Sequence, residues 1–382
     1  MSSKNYFEKE LRAREKRLQR WLSGNELDVG IFFKEEIELV NGDYIYYGGG
    51  QTSGEYAAIA IGRNGEKSAI VHEYSYERVK HSGEYENVYE IRQSIEELMH
   101  SLKENVWNKN RTKKIAIDYS TLSVWTLDLM KKTGMKPIEN DLRDFAYLQR
   151  SIKSDYELEQ IIRAIQVAAL AFERTLNGLK EGQSTDEIAS ILSGFMIEEG
   201  GIGSSFDPDV RLRRNLGEKE EGKLRNGDLV LFDFGARLSN MYPSDIGRTV
   251  PFGTRSEQEM DLLGDAVSIK KAGLKEIKTG TSGNSVREGI DAIIREHGYV
   301  STHRPGHQTG LNVHEPYGPH LAYGKENAGK LRTDNVVTWE PGIGFPSEEQ
   351  PKNRFGMAHM EDMVHVKASD SKMLGNFPLE YW

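Results

Sequence analysis

The chain has 382 residues and a formal net charge of −9, and charged residues make up 29% of it. Acidic and basic residues are interspersed, so the composition does not favour a nucleic-acid partner. No apolar run approaches the length of a membrane span, and the absence of cysteine excludes disulfides and thiolate metal ligands. A chain of this length is long for a single core and predicts two domains. The N-terminal segment is charged and lacks the apolar centre of a signal peptide, so we expect a cytoplasmic protein.

The first 150 residues alternate between helical and extended patterns. Helical periodicity covers residues 5–23, and strand-like segments follow at DVGIFF, YIYYGG, YAAIAIG and KSAIVHEY. A helix is expected over residues 94–105, because Ser94 and Glu97 have the spacing of a capping box, and a further strand is expected at KKIAIDY. This alternation predicts an α/β domain over residues 1–150.

A second domain is expected over residues 151–382. It begins with a long amphipathic helix after Ser154, and a second helix with an acidic first turn follows Ser184. Two more helices are expected over residues 258–279 and 285–297. Strands are expected on either side of these helices, at DLVLFDFGA, NVVTWEPG and MEDMVHVK.

Four carboxylates and one imidazole in the last 150 residues have the order and contexts that a two-metal hydrolase site requires. They are Asp233, Asp245, His307, Glu340 and Glu361. Ionised carboxylates in apolar strands are costly unless a positive charge neutralises them. Two divalent cations would balance four carboxylates, with the imidazole as a neutral donor. We therefore predict two divalent metal ions, and these ligand types suit Mn, Co, Fe or Zn.

Histidines are concentrated in the same part of the sequence. Seven of the ten lie between His297 and His365. Side chains on an extended strand alternate between its two faces, so His359 should share a face with Glu361 and point toward the metal site.

Six short motifs resemble those of the creatinase, aminopeptidase P and prolidase family, the pita-bread metallopeptidases. They read DFGA from Asp233, SDIGRT from Ser244, GHQTG from Gly306, VHEP from Val313, WEPG from Trp339 and HMED from His359. Weaker similarities, such as SFDPDV, extend the resemblance to about the full length. The resemblance implies a creatinase/prolidase-type α/β N-terminal domain over residues 1–150 and an α+β pita-bread catalytic domain over residues 151–382.

The resemblance also implies a role for each metal ligand. Asp233 would bind one ion, while Asp245 and Glu361 would bridge both ions. His307 and Glu340 would bind the second ion. A hydroxide that bridges the two metals would attack the carbonyl of the substrate.

Four residues would take part in catalysis beside the metals. By resemblance, Glu340 would carry the proton to the leaving nitrogen, and His303 and His314 would contact the tetrahedral intermediate or line the substrate pocket. His359 would either contribute to these contacts or hydrogen-bond a carboxylate ligand.

The sequence departs from the family pattern at positions that bear on the substrate. The departures are Leu216 for a pocket histidine, His359 for arginine, Gln308 for glycine and Gly247 for threonine or serine. The interval between Asp233 and Asp245 is also one residue longer than usual. This predicts a β-bulge that keeps both carboxylates pointing inward.

Three functions are consistent with these residues. The first is a dinuclear metal-dependent hydrolase that cleaves an amide bond of a short peptide, of the Xaa-Pro dipeptidase or aminopeptidase P type. The second is a hydrolase or lyase of the same fold that acts on a small molecule such as ectoine or dimethylsulfoniopropionate, which the replaced histidine and arginine favour. The third is a catalytically inactive peptide-binding module, which the retention of all five ligands disfavours.

The expected partners follow from the same reasoning. The substrate would be a short peptide or another small molecule, and neither nucleic acid nor a membrane is expected. The family resemblance implies a homodimer in which the N-terminal domain helps to close the partner's cleft.

Overall fold

The computed structural model describes residues 3–35, 42–48, 56–92, 94–108, 114–118, 122–135, 142–214, 219–220, 222–315, 320–321, 328–346 and 358–381. The chain divides into two compact units, residues 1–150 and residues 151–382. Among the described residues, no helix combines the length and apolar character needed to cross a lipid bilayer.

A mixed sheet of five strands forms the centre of the first unit. The strands are β1 Val29–Lys34, β2 Ala57–Gly62, β3 Lys67–His72, β4 Asn87–Ile91 and β5 Ile115–Ile117. Their order is β4-β3-β2-β1-β5, in which β3–β4 and β1–β5 pair in parallel and the other neighbours pair antiparallel. The predicted strands at DVGIFF, YAAIAIG, KSAIVHEY and KKIAIDY are therefore confirmed.

Six described α-helices accompany this sheet, and a π-helix at Lys103–Asn108 continues the fourth of them. They are α1 Ser3–Gly24, α2 Gly42–Gly48, α3 Glu73–Ser82, α4 Ile95–Leu102, α5 Val124–Lys132 and α6 Leu142–Ser151. Ser94 caps α4 by accepting a hydrogen bond from the Glu97 amide. The capping box is not completed, because the Glu97 carboxylate accepts instead from the Arg92 amide, at 2.7 Å.

The prediction of a strand at YIYYGG is wrong, because α2 occupies this segment. Tyrosine favours strands, but tertiary packing can override that preference. Tyr46 and Tyr47 are fully buried in α2, and the Tyr47 ring stacks on Phe32 of β1 with 4.3 Å between centroids. The Arg14 guanidinium of α1 also donates to the Tyr46 carbonyl, at 3.0 Å. These contacts stabilise the helix.

Four α-helices belong to the described part of the second unit, and a short 3₁₀ helix at Leu274–Glu276 follows the third of them. They are α7 Asp155–Gly178, α8 Thr185–Glu198, α9 Glu257–Gly273 and α10 Gly283–Glu296. Ser154, Ser184 and Ser256 each form a complete capping box with the glutamate three residues later. These boxes satisfy amide groups that would otherwise lack partners at the helix starts, and they place the first turns where the sequence predicts them.

The strands of the second unit form several small sheets. They are β6 Gly203–Ser204, β7 Asp209–Arg214, β8 Lys219–Glu220, β9 Asp228–Phe234, β10 Ala236–Arg237, β11 Ile246–Pro251, β12 Val300–Ser301, β13 Val336–Trp339, β14 Gly342–Gly344, β15 Ala358–His359, β16 Asp362–His365 and β17 Lys372–Met373. The orders are β11-β9-β7-β8, β13-β16-β17, β12-β14-β15 and β10-β6. An antiparallel bridge between Gly247 and Glu361 joins β11 to the segment that links β15 and β16.

Helices α9 and α10 cover one face of these strands with an apolar core. Among its buried members are Leu263, Ile269, Ile290, Ile294, Trp339, Met360 and Val364. Trp339 and Met360 belong to this core, whereas Glu340 and Glu361 follow them directly in sequence. Since neighbouring side chains of an extended chain take opposite faces, the two carboxylates are directed away from the helices.

Candidate metal centre

The five predicted ligands come from five separate segments and meet in one buried cluster. Asp233 lies near the end of β9, Asp245 directly before β11, Glu340 directly after β13, Glu361 between β15 and β16, and His307 in a loop before β13. None of the five residues is more than 6% exposed. Ligand atoms of Asp245, His307 and Glu361 lie within 4.8 Å of one another, and so do those of Asp233, His359 and Glu361.

Regular pairing of β9 with β11 places both aspartates on one face of the sheet. Asp233 pairs with Gly247, and further along the hairpin Arg237 pairs with Pro243 in the same register. No residue is inserted on either strand between these pairs, so the predicted β-bulge is wrong. Gly235 then lies opposite Asp245. Residues directly opposite each other share a face of the sheet, and so do residues two apart on one strand, as Asp233 and Gly235 are. Both carboxylates therefore point to the same side without a bulge, although the interval between Asp233 and Asp245 is longer than usual.

His307 faces two of the carboxylates through one nitrogen. Its Nε2 lies 3.2 Å from Oδ2 of Asp245 and 3.5 Å from Oε1 of Glu340. Its Nδ1 lies 3.2 Å from the carbonyl oxygen of Gln308. A proton on Nδ1, which this carbonyl accepts, leaves the Nε2 lone pair facing the carboxylates, which is the arrangement of a metal-binding imidazole.

His359 lies on the same side as Glu361, as the strand alternation predicts. The two side chains approach to 3.4 Å between Nε2 and Oε2, and the imidazole is completely buried. Two hydrogen bonds to Thr249 fix the backbone of His359: its amide donates to Oγ1 at 2.8 Å, and Oγ1 donates to its carbonyl oxygen at 3.0 Å.

Negative charge is concentrated at the centre of the cluster. Burial raises the pKa of Glu361 well above its ordinary value, and the charges of Asp245, Glu340 and Asp233 raise it further. Burial also acts to lower the pKa of His307, but its contacts with Asp245 and Glu340 outweigh burial and raise that pKa. Divalent cations would remove the repulsion that perturbs these groups.

An unused acceptor atom also fits a metal site. Oε1 of Glu361 is buried and receives no hydrogen bond from any residue that the structure describes. Such an atom is costly in a folded protein unless an ion or another donor satisfies it. A divalent cation would satisfy this oxygen, and the oxygen and nitrogen ligand atoms of the cluster suit such ions.

The other predicted histidines adjoin the cluster. Nε2 of His303 lies 3.2 Å from Oε2 of Glu340. Burial acts to raise the pKa of Glu340, but His303 and His307 outweigh burial and hold this pKa below its ordinary value. The ring of His314 stacks on that of His307 with 3.8 Å between centroids. Leu216, which stands in place of a family histidine, lies outside the described residues.

A cavity of about 370 Å³ opens beside the carboxylates. Its lining residues are Ser205, Phe206, Asp233, Arg237, Asp245, Asn312, Val313, His314 and Glu361. Its volume lies within the ordinary range of small-molecule sites, so a compact substrate could reach the cluster.

Comparison with known proteins identifies the family. Residues 159–368 match metallopeptidase family M24, and residues 14–150 match the creatinase/prolidase N-terminal domain. The chain belongs to metallopeptidase family M24. This M24 enzyme is thus a hydrolase that combines the creatinase/prolidase-type N-terminal domain with a pita-bread catalytic domain, and the predicted fold class is confirmed.

Relatives of the M24 enzyme match it over nearly their whole length. It is 25% identical to the Xaa-Pro dipeptidase of Pyrococcus furiosus, with coverage of 95% of this chain and 98% of the relative. The X-Pro aminopeptidase structure from Thermotoga maritima superposes with a TM-score of 0.78 at 25% identity, covering 93% of this chain and 97% of that one. An Xaa-Pro dipeptidase structure from Bacillus anthracis has a TM-score of 0.78 at 24% identity, covering 97% and 99%.

Sequence reasoning did not identify Lys270, which donates hydrogen bonds to the residues that precede Glu340 and Glu361 in the M24 site. Lys270 of α9 is completely buried, and burial lowers its pKa to about 8 although Asp362 opposes the shift. A signal was present, because Lys270 continues the helical spacing of the buried residues Leu263, Ala266 and Val267. A lysine on an apolar helix face indicates a buried partner.

Sequence reasoning also did not identify two further residues of the M24 site, Thr338 and Arg237. The Thr338 hydroxyl donates to Oε1 of Glu340 at 3.3 Å and accepts from the His307 amide at 3.1 Å, so it orients two members of the cluster. The Arg237 guanidinium lines the cavity and donates to the carbonyl oxygens of Ser205, Met241 and Leu311. Only the pairing of distant segments brings these side chains to the site.

Proposed function

We propose that this chain is a dinuclear metal-dependent hydrolase that cleaves the amide bond of Xaa-Pro dipeptides. The observation that carries the proposal is that Glu361 belongs to two separate groups of potential ligands, one with Asp233 and the other with Asp245 and His307. A carboxylate that is shared by two groups is suited to bridge two cations, because it has two oxygens.

The residues of the cluster divide into ligands of two ions in this proposal. Asp233 would hold one ion, Asp245 and Glu361 would be shared, and His307 and Glu340 would hold the other ion. The oxygen and nitrogen donors accept Mn, Co, Fe or Zn. When bound, such ions supply Lewis-acid polarisation of the substrate carbonyl and lower the pKa of water to about 7.

Proton transfer and orientation are assigned to the chain's own groups. Glu340 carries a proton toward the leaving nitrogen, and His303 holds the carboxylate of Glu340 in place through the 3.2 Å contact. His314 lines the cavity and offers its imidazole to the reacting carbonyl. His359 lies beside Glu361, so we assign it to metal binding rather than to contact with the substrate.

The choice of substrate is supported by the relatives and by the cavity. A relative that this chain matches over 98% of its length is an Xaa-Pro dipeptidase. Among the residues that line the cavity, Arg237 is the permanently charged cation. A guanidinium suits the free carboxylate of a dipeptide, since it can form bidentate hydrogen bonds. We also propose a cytoplasmic homodimer, which rests on the family resemblance.

A substrate panel tests the proposal. The metal-free protein is reconstituted separately with Mn, Co, Fe and Zn and assayed on Xaa-Pro dipeptides, longer Xaa-Pro peptides, and ectoine-like and sulfonium compounds. We expect the highest kcat/KM on a dipeptide. Preferential turnover of an ectoine-like or sulfonium compound would instead support the small-molecule alternative. Metal binding without turnover of any of these compounds would support a binding module.

A further inference from the structure

The distance between the side chains of His359 and Glu361 fits two ligands of one ion better than a hydrogen bond between them. Its Nε2 lies 3.4 Å from Oε2 of Glu361, which is longer than the ~2.7–2.9 Å of a charge-assisted hydrogen bond. Two donors that each bind one ion at ~2.1 Å are themselves ~3.0–3.4 Å apart in octahedral or tetrahedral geometry. A ligand atom of Asp233 completes the group, since all three lie within 4.8 Å of one another.

Gly247 provides the space that the imidazole occupies. A β-carbon at this position would lie 2.5 Å from Nε2 and 2.7 Å from Cδ2 of His359, and 2.9 Å from the carbonyl oxygen of Phe232. Real β-carbons essentially never approach other atoms so closely, so any other residue at 247 would displace the ring. The replacements at positions 247 and 359 are therefore structurally coupled.

The backbone around Gly247 cannot move away without moving Glu361. The amide of each residue donates to the carbonyl oxygen of the other, at 3.1 and 2.9 Å. Nη1 of Arg248 also donates to both of these carbonyl oxygens, at 2.6 and 2.7 Å. The position of the imidazole relative to the Glu361 carboxylate is thus fixed by the strands on both sides.

We propose that His359 is a nitrogen ligand of the ion that Asp233 and Glu361 hold, and that Gly247 is required to admit its ring. This inference rests on the proposed dinuclear function. It gives each of the two ions one imidazole, from His307 and from His359. A second imidazole shifts the preference of the site from manganese toward zinc, because imidazole suits zinc whereas carboxylate and water oxygens suit manganese.

X-ray absorption at the zinc edge tests the inference by counting imidazoles in the zinc-loaded protein. We expect two imidazoles for every two zinc ions in the wild type, and one fewer in His359→Gln. The affinity for one zinc ion should fall by more than the ~10- to 100-fold that is typical when a residue only orients a ligand. His365→Gln is the matched control, because His365 lies on the following strand and contacts Asp334 at 2.8 Å instead of the cluster.

Gly247→Ala provides an independent test that substitutes none of the ligand residues. We expect it to lose the same imidazole, whereas Gly264→Ala should not, because a β-carbon at 264 meets nothing within 4 Å. An unchanged imidazole count in His359→Gln that still binds two zinc ions would overturn this inference alone. Failure of the wild type to bind two zinc ions would overturn the proposed dinuclear function as well. If the variants do not fold, a wild-type count of one imidazole per two zinc ions overturns the inference.

Discussion

Lys270 and Asp362 form a buried ion pair beside the cluster of potential metal ligands, with Nζ 3.1 Å from Oδ2. The same ammonium donates to the carbonyl oxygens of Trp339 and Met360. These residues directly precede Glu340 and Glu361, so one side chain ties together the two segments that carry these carboxylates.

We predict that Lys270→Met lowers both the stability and the metal affinity of the protein. The variant loses two hydrogen bonds and one partner of a buried ion pair. Such a loss costs ~3–5 kcal/mol when the remaining charge is left unpaired, and we expect less here because Asp362 keeps the Arg248 guanidinium at 2.8 Å. Urea unfolding without metal and zinc titration by calorimetry measure the two effects. Lys271→Met is the control, because that side chain is 62% exposed and should change stability by less than ~0.5 kcal/mol. Equal stability of the two variants would contradict the supporting role of Lys270.

A second prediction concerns the pH dependence of the first unit. Burial raises the pKa of Asp43 to about 7; Arg150, at 2.9 Å, opposes this shift and Asp118 adds to it. An aspartate in the unfolded chain titrates near ~3.9. Between these values the folded state binds more protons, so the free energy of unfolding falls as pH rises from about 4 to about 7.

Asp43→Asn should remove this dependence. We expect the stability difference between wild type and variant to change by a few kcal/mol across the window, at ~1.4 kcal/mol for each pKa unit, and to be constant above it. Urea unfolding of both proteins at several pH values measures the difference. Parallel stability curves over the whole range would show that Asp43 does not titrate in this way.

A third prediction assigns His314 to catalysis rather than to metal binding. His314→Ala should lower kcat ~100-fold or more while metal content stays unchanged, because it removes a positioned polar group from the cavity. Steady-state kinetics and elemental analysis measure these quantities. His297→Ala serves as control, since that ring contacts the Ile293 carbonyl at the end of α10. Turnover in His314→Ala equal to that of wild type would remove His314 from the mechanism.

A fourth prediction concerns recognition of the substrate carboxylate. If Arg237 binds it, Arg237→Met should raise KM for an Xaa-Pro dipeptide by ~10-fold or more, since removing one partner of a charge-assisted contact costs ~1.5–3 kcal/mol. KM for the corresponding Xaa-Pro amide, which lacks the carboxylate, should change much less. An equal effect on both substrates would indicate that Arg237 acts only by holding the loops at Ser205 and Leu311.

The sequence was most informative where function depends on short segments. Asp233, Glu340 and Glu361 each lie in or beside an apolar strand, and an isolated charge in such a strand is informative without knowledge of the fold. The spacing of Ser94 and Glu97 likewise predicted the start of α4 from a short segment. The family and the fold class were likewise accessible, because several motifs occur in a fixed order.

The features that the sequence did not reveal depend on distant pairing. Residues 42–48 are helical because their tyrosines pack against α1 and β1, which local propensity cannot encode. The register that places Asp245 opposite Gly235 depends on how β9 pairs with β11. Helical periodicity places Lys270 on a buried face, but only the fold shows that its ammonium reaches two strand carbonyls.

Metal stoichiometry in wild type and in Glu361→Gln tests the central claim most directly. Calorimetric titration of the metal-free protein with cobalt, with Xaa-Pro hydrolysis followed in the same samples, should show two ions per chain and activity that requires the second ion. Glu361→Gln should weaken binding of both ions because both share this residue, whereas Glu380→Gln, at an exposed position, should behave as wild type. Full activity with one ion per chain, or two ions bound with undiminished affinity in Glu361→Gln, would contradict the account.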